Sequence, residues 1–296
     1  MLEKQLLTIS DLSRWNEALQ EEYKRNSYLS FTANFLWRRH CPVLLVEAGE
    51  RLSMEFVSRI NGNFYLWPIG NGDLADALKA LILDGGEGFT LRYLDRAQAE
   101  ALASLFPGRF SVEEDRDSAD YLYSIHSFAT LNGKKLHAKR NFCNRFESAH
   151  SWEALPLQSE HFPACVALFE RWAEGRQDAE DERRTLHTAF TYWEELQFEG
   201  TLLLCENEPV AFSAGKRLTD DTFEIYFEKA LSAVPGAYPM IARETARQLL
   251  AAHPELTTLN RQEDMGLSGL RKAKEEWYPE ALQMKYTAVL KGCVPL

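Results

Sequence analysis

PVLLVEAGERLSMEFV, residues 42–57, reads as an apolar run, a polar turn and a second apolar run, the pattern of a β-hairpin. TLLLCENEPVAFSAGK, residues 201–216, follows the same plan, with Asn207 and Pro209 near its turn. The flanking sequence repeats as well. After the first hairpin come the strand pattern NFYLWPIG and the helix pattern GDLADALKALILDG. After the second come TFEIYFEKAL, the loop SAVPGAY and PMIARETARQLLAAH. Apolar residues recur at helical spacing in both helices, Leu74, Leu78 and Leu81 in one and Ala242, Ala246 and Leu249 in the other. Each half then adds a strand, FTLRYL or LTTLNR, and a further helix. Gly72 and Gly236 stand 164 positions apart, and Leu94 and Leu259 stand 165 apart. A period of this length implies a duplicated domain and not a solenoid.

Hairpins followed by strand–helix–strand–helix predict an α+β fold with mixed sheets flanked by helices. The expected division falls near SWEALPLQSEHF, residues 151–162, giving domains 1–150 and 151–296. The segment before the second hairpin reads as two helices, with DAEDERR as a solvated helix start. Mixed sheets of this kind frequently hold a ligand where strand order changes.

The 296 residues are 45% apolar and include 7 tryptophans, which supplies buried interiors and excludes a disordered chain. A net charge of -11 argues against broad nucleic-acid affinity, so no DNA partner is expected, but a local basic site remains open. The five cysteines are scattered without a CxxC pair, which fits reduced thiols and not a disulfide framework or zinc site. The start, MLEKQLLTISDLSRW, lacks a signal-peptide pattern, and no apolar run is long enough to span a membrane, so a cytoplasmic protein is expected.

Four stretches carry candidate chemistry. Gly70-Asn-Gly72-Asp-Leu-Ala75 matches a dinucleotide fingerprint but follows a hairpin, so it reads as a turn with Asp73 capping a helix. LNGKKLHAKRNFCNRFE places five cations in twelve residues, Lys134 to Arg145. On a helix, Lys135, Lys139, Phe142 and Phe146 share a stripe. That leaves Lys139 and Arg140, with Asn141 beside them, as either a solvated rim or a substrate-anion site in which Arg140 binds in bidentate fashion. NRQEDMGLSGLRKAKEEWYP follows the strand ending at Asn260. There Glu263 and Asp264 precede a glycine turn, and Ser268 is expected to cap a helix that turns Leu270, Ala273 and Trp277 inward. Arg271, Lys274 and Tyr278 share the adjoining stripe, either as surface charge or as an anion site near the helix start. In FEIYFEKALSAVPGAYPMIARE, Gly236, Ala237 and Tyr238 open a helix. Glu228 is either a general base or an exposed carboxylate paired with Lys229 or Lys216. The seven histidines show no metal-binding spacing, and no metal is expected.

KRNFCNRF and NRQEDMGLSGLRKAK, supported by DYLYS at residues 120–124 and the Tyr278-Pro279 pair, resemble signatures of a bacterial family sharing the C-terminal domain of phosphatidylglycerol lysyltransferase. The resemblance covers nearly the whole chain and implies tandem GNAT-like acyltransferase domains. It also implies that the loop around Gly236 holds the pyrophosphate of acyl-CoA, although only one glycine of the usual pattern stands there. Glu228 would then be the base, with Asn260 and Tyr278 on the next strand and helix. In these relatives the donor is aminoacyl-tRNA, the acceptor is a lipid head group, and a membrane-spanning portion is usual.

Two readings follow. One is an acyl or aminoacyl transferase acting on a small-molecule or acyl-carrier substrate, with acyl-CoA or aminoacyl-tRNA as donor and tRNA as a possible partner. The other is a non-catalytic sensor on a degenerate acyltransferase fold. An acidic scaffold ranks behind both.

Overall fold

The computed structural model describes residues 2–20, 23–58, 62–176 and 179–292. It divides into two compact units, Met1–Ala119 with Gln283–Leu296, and Asp120–Leu282. In the first unit the chain forms β1 (Glu3–Leu6), α1 (Leu12–Ala18), α2 (Phe31–Trp37), β2 (Val43–Ala48), β3 (Arg51–Phe56), β4 (Phe64–Tyr65), α3 (Leu74–Gly85), β5 (Thr90–Leu94) and α4 (Arg96–Leu105). β6 (Phe110–Ser124) then passes into the second unit. The second unit contains α5 (Ile125–Thr130), α6 (His137–Ala149), β7 (Trp152–Pro156), α7 (Phe162–Ala173), α8 (Ala179–Thr191), β8 (Glu199–Cys205), β9 (Glu208–Thr219), β10 (Thr222–Ala230), α9 (Ala237–Ala252), β11 (Thr258–Asn260) and α10 (Ser268–Glu275). β12 (Ala281–Leu290) returns the chain to the first unit.

The duplication is visible in the strand orders, β1-β2-β3-β4-β5-β12 in one unit and β7-β8-β9-β10-β11-β6 in the other. Both expected hairpins form with two-residue turns. Ala48 pairs with Arg51 around Gly49, and Cys205 pairs with Glu208 around Glu206 and Asn207, which both have positive φ. Such turns match the twist of the strands they join. In each unit one parallel pair follows, β4 with β5 and β10 with β11.

The units divide the chain at a different place from the break read in residues 151–162. The closing strand of each sheet comes from the other half of the chain. β12 pairs with β5 (Tyr286 opposite Leu94), while the end of β6 pairs with β11 (Leu259 opposite Tyr123). α5 and α6 follow β6 into the second unit, where Phe128, Cys143 and Phe146 pack in one interior with Met240, Ala246 and Leu249 of α9. A hydrophobic pattern cannot reveal such an exchange, because it marks a strand but not the strand it pairs with.

Asp73 caps α3 as expected, accepting from the Asp76 N–H at 2.8 Å. A Cβ on Gly72 would lie 2.8 Å from Glu50 Cβ, so the glycines serve loop packing, as the turn reading required. Cys41, Cys143, Cys165 and Cys205 are free thiols, and Cys293 lies outside the described residues, as does Asp178 of the DAEDERR run. No helix among the described residues is long and apolar enough to cross a membrane.

Candidate functional site

β10 and β11 pair from Thr222 to Glu224 and from Thr258 to Asn260, and the ladder then opens because β11 ends at Asn260 while β10 runs on to Ala230. Side chains bridge the opening where backbone bonds have ended. On one face the Arg261 guanidinium donates to Glu228. It lies 5.4 Å from the Phe128 ring centroid and 5.6 Å from that of Trp277, and those two rings stack at 4.4 Å. A guanidinium tolerates such a weakly hydrated position when its carboxylate partner is in place.

A β-bulge gives the opening a second polar face. Glu224 lies opposite Lys216, but Glu228 lies opposite Ser213, so four residues of β10 span three of β9, with the irregularity at Tyr226. Strand side chains alternate, so the bulge turns Glu224 and Glu228 to opposite faces. Glu224 is 0% exposed. It accepts from Gln262 Nε2 (3.0 Å) and from the Tyr226 hydroxyl (2.8 Å). Burial pushes its carboxyl up to about 7 against those hydrogen bonds, and the charge of Asp120 adds to the rise. Burial pushes the Lys216 ammonium down, opposed by Glu224. Asn260 joins the network, donating to Asp120 Oδ2 (3.1 Å) and accepting from the Gln262 N–H (2.8 Å).

Arg271 and Lys274, two of the three cations of α10, have internal partners. Arg271 makes a bidentate pair with the buried Asp264, at 2.8 and 2.9 Å. Burial disfavours the charged Asp264, but donors from Arg271, Tyr121 and the Gly266 N–H outweigh it and hold the carboxyl well below its usual range. Lys274 points inward and donates to the carbonyls of Arg261 and Gln262. Burial and the neighbouring Arg261 charge push its ammonium down to about 8. The expected inward set is therefore corrected: Lys274 and Trp277 are buried, whereas Ala273 is exposed. Ser268 is also not the cap. Leu267 holds that position without a side-chain bond, and Asp264 organises the turn by accepting from the Gly266 N–H at 2.9 Å.

The remaining expected residues are spread over the same unit. Arg140 binds the carbonyls of Leu131 (2.6 Å) and Gly133 (3.3 Å), which supports the loop after α5 in place of an anion. Lys139 pairs with Glu276 (3.2 Å) over the Trp277 ring. Asn141 faces His137 on the surface of α6, and Glu263 is partly exposed. Tyr278 is 48% exposed with Lys135 above its ring. Phe142, on one stripe with the buried Phe146, is 46% exposed. Glu228 pairs with Arg261, not with either expected lysine, and Lys229 pairs with Glu182 instead.

Gly236 is the N-cap of α9 with φ +91, and a Cβ there would lie 2.9 Å from the Phe142 carbonyl. The helix start is a poor anion cradle. The Ala237 N–H is bonded to Val234 O (3.2 Å), and Pro239 has no N–H. Tyr238 accepts from Trp172 Nε1 at 2.9 Å.

The structure also gathers His150, Cys205 and Glu206, whose candidate ligand atoms lie within 4.8 Å of one another, a grouping the sequence spacing did not indicate. Burial and the adjacent Glu206 charge raise the Cys205 thiol, which opposes thiolate ligation. Glu206 also already accepts the Ser151 N–H at 2.9 Å.

Mixed sheets with one parallel pair in each unit and flanking helices make up the tandem GNAT-like fold. The chain belongs to the family of the phosphatidylglycerol lysyltransferase C-terminal domain, whose profile matches residues 20–289. A conserved protein of unknown function from Bacteroides thetaiotaomicron is 32% identical, with TM-score 0.90 over 98% of this chain and 100% of that one. The C-terminal domain of a putative lysylphosphatidylglycerol synthetase from Agrobacterium fabrum shares the fold at 15% identity, with TM-score 0.63 over 96% and 92% of the two chains. A tandem GNAT protein from the clavulanic acid biosynthesis pathway matches at 9% identity, TM-score 0.53, over 99% and 100%. No match was found among curated proteins. Family and fold together suggest an acyl or aminoacyl transferase.

Proposed function

We propose that this protein transfers an aminoacyl group from aminoacyl-tRNA to an amine or hydroxyl acceptor, and that the reaction takes place at the opening between β10 and β11. The observation that carries the proposal is the meeting of Glu228 and Arg261 where backbone pairing between the strands has ended. Glu228 takes a proton from the attacking amine or hydroxyl, directly or through water, as that atom bonds to the ester carbonyl carbon. The ester C–O bond then breaks, and the tRNA 3′-oxygen leaves with a proton. Arg261 holds Glu228 in place and bears a charge beside the developing oxyanion.

Two features favour aminoacyl-tRNA over acyl-CoA. The start of α9 has few N–H groups for a pyrophosphate. In addition, α6 and the turn before it expose Lys134, Lys135, Arg145 and the Phe142 ring, and Lys135 lies over the exposed ring of Tyr278. Cations interleaved with aromatic rings suit a single-stranded acceptor end. The single glycine at the start of α9, where the acyltransferase pattern has more, favours the second reading, a sensor that binds without turnover. Incubating the protein with labelled aminoacyl-tRNA and pooled amine and lipid acceptors separates the two. The transferase moves label into product and the sensor binds without releasing it.

A further inference from the structure

A cavity of about 290 Å³ lies in the second unit, bounded by the end of β7, the connection from α8 to β8, the start of β10 and the last turns of α9. Its walls include Leu157, Trp193, Phe198, Phe223 and Leu249. Its size is close to the lower end of small-ligand pockets, roughly 300–1,000 Å³. It is about twice the ~150 Å³ apolar cavity that admits benzene. One aromatic ring with a short chain suits that space.

Thr245 lines the cavity, is 3% exposed, and its Oγ1 has no hydrogen-bond partner among the described residues. A threonine inside a helix ordinarily satisfies its hydroxyl on the preceding turn. Four threonines of this chain do so: Thr130, Thr185, Thr188 and Thr191 each donate to the carbonyl four residues earlier, at 2.7–2.8 Å. Thr245 does not. Gln248, one turn along, is engaged elsewhere: its amide oxygen accepts from Thr201 (2.8 Å) and its nitrogen donates to Ala154 O (3.1 Å). A buried hydroxyl left in this way is costly unless a ligand completes it.

The charge of the lining selects the ligand. It includes the carboxylates of Glu194 and Glu199 and no lysine or arginine. Glu199 is paired with His253 at 2.8 Å, whereas Glu194 is exposed. We propose that this cavity is a second binding site, separate from the β10–β11 opening, for a compact organic ammonium with an apolar aromatic body. The ring packs against Trp193 and Phe198, and the ammonium donates to Thr245 Oγ1 and faces the carboxylates. At ~3.3 Å per strand residue, Phe223 lies roughly 15 Å along β10 from Glu228, so the two sites are distinct.

The test is calorimetric titration of the full chain with phenethylamine, beside the size-matched anion 3-phenylpropionate, with melting temperatures recorded for both. Phenethylamine is expected to bind saturably and raise Tm, and the anion is expected to do neither. Thr245→Val keeps the shape and removes the hydroxyl. It should weaken amine binding about tenfold while leaving the unliganded Tm equal or higher, which excludes misfolding as the cause. Glu194→Gln should weaken binding as well. Absence of saturable amine binding, equal affinity for the anion, or binding unchanged by both substitutions would each overturn the proposal. Aminoacyl transfer is not needed for any of these readouts.

Discussion

Glu228 lies on β10 beyond its pairing with β11, and Arg261 is the first residue after β11, yet their side chains meet, Arg261 Nη2 donating to Glu228 Oε1. The pair is linked through the backbone to the opposite face, where Gln262, the next residue, binds the buried Glu224. One carboxylate is thus held by a permanent cation, and the other by neutral donors in a dry position.

Glu228→Gln should lower transfer by about 10²–10⁴-fold, the usual contribution of a general base. Donor affinity should change by less than about threefold, because the amide keeps the shape of the site. Parallel measurement of kcat and of tRNA binding checks this. A fall in affinity with kcat intact contradicts it.

Glu224 makes stability depend on pH with a defined sign. Its carboxyl is raised to about 7 in the folded protein, so between the ordinary carboxyl value of 4.5 and 7 the folded state binds more protons than the unfolded state. Stability should therefore be fully present near pH 4.5 and fall as pH rises to about 7, by roughly 3 kcal/mol at most. Denaturant melts of wild type and Glu224→Gln at pH 5 and pH 7.5 check the point. The variant should lose most of that pH difference.

Arg271→Ala should cost about 3–5 kcal/mol, because it leaves the buried Asp264 carboxylate without its cation. If Arg271 instead held donor phosphate, the substitution would weaken tRNA binding with little change in Tm. Thermal melting and binding isotherms on the same sample distinguish these outcomes. Asp264→Asn with Arg271→Ala should recover part of the lost stability.

Lys134 and Lys135 are exposed on the turn before α6. Lys134→Glu with Lys135→Glu should weaken tRNA binding and reduce the slope of log affinity against log salt by about 1–2, while Tm stays within about 2 °C. An unchanged salt slope would remove tRNA from the account.

The α+β repeat was legible in the sequence because hairpin, strand and helix recur with constant spacing from Gly72 to Gly236 and from Leu94 to Leu259. The exchange of closing strands was not legible, since a strand pattern does not identify the strand it pairs with. At the site, Glu228 stood out as a carboxylate before a glycine loop. Glu224 did not, because strict alternation places it on the same face as Glu228, and only the bulge at Tyr226 separates them. The roles of Arg271 and Lys274 were hidden for a related reason. Helical spacing identifies a shared stripe but not its partners, and here these are Asp264 and two loop carbonyls.

Single-turnover transfer from labelled aminoacyl-tRNA, comparing wild type with Glu228→Gln at equal saturation of donor, tests the central claim most directly. Transfer that is rapid in the wild type and reduced at least about a hundredfold in the variant is the expected result. Equal rates in the two proteins, or no transfer by a wild-type protein that binds the donor, would contradict a transferase acting at the β10–β11 opening.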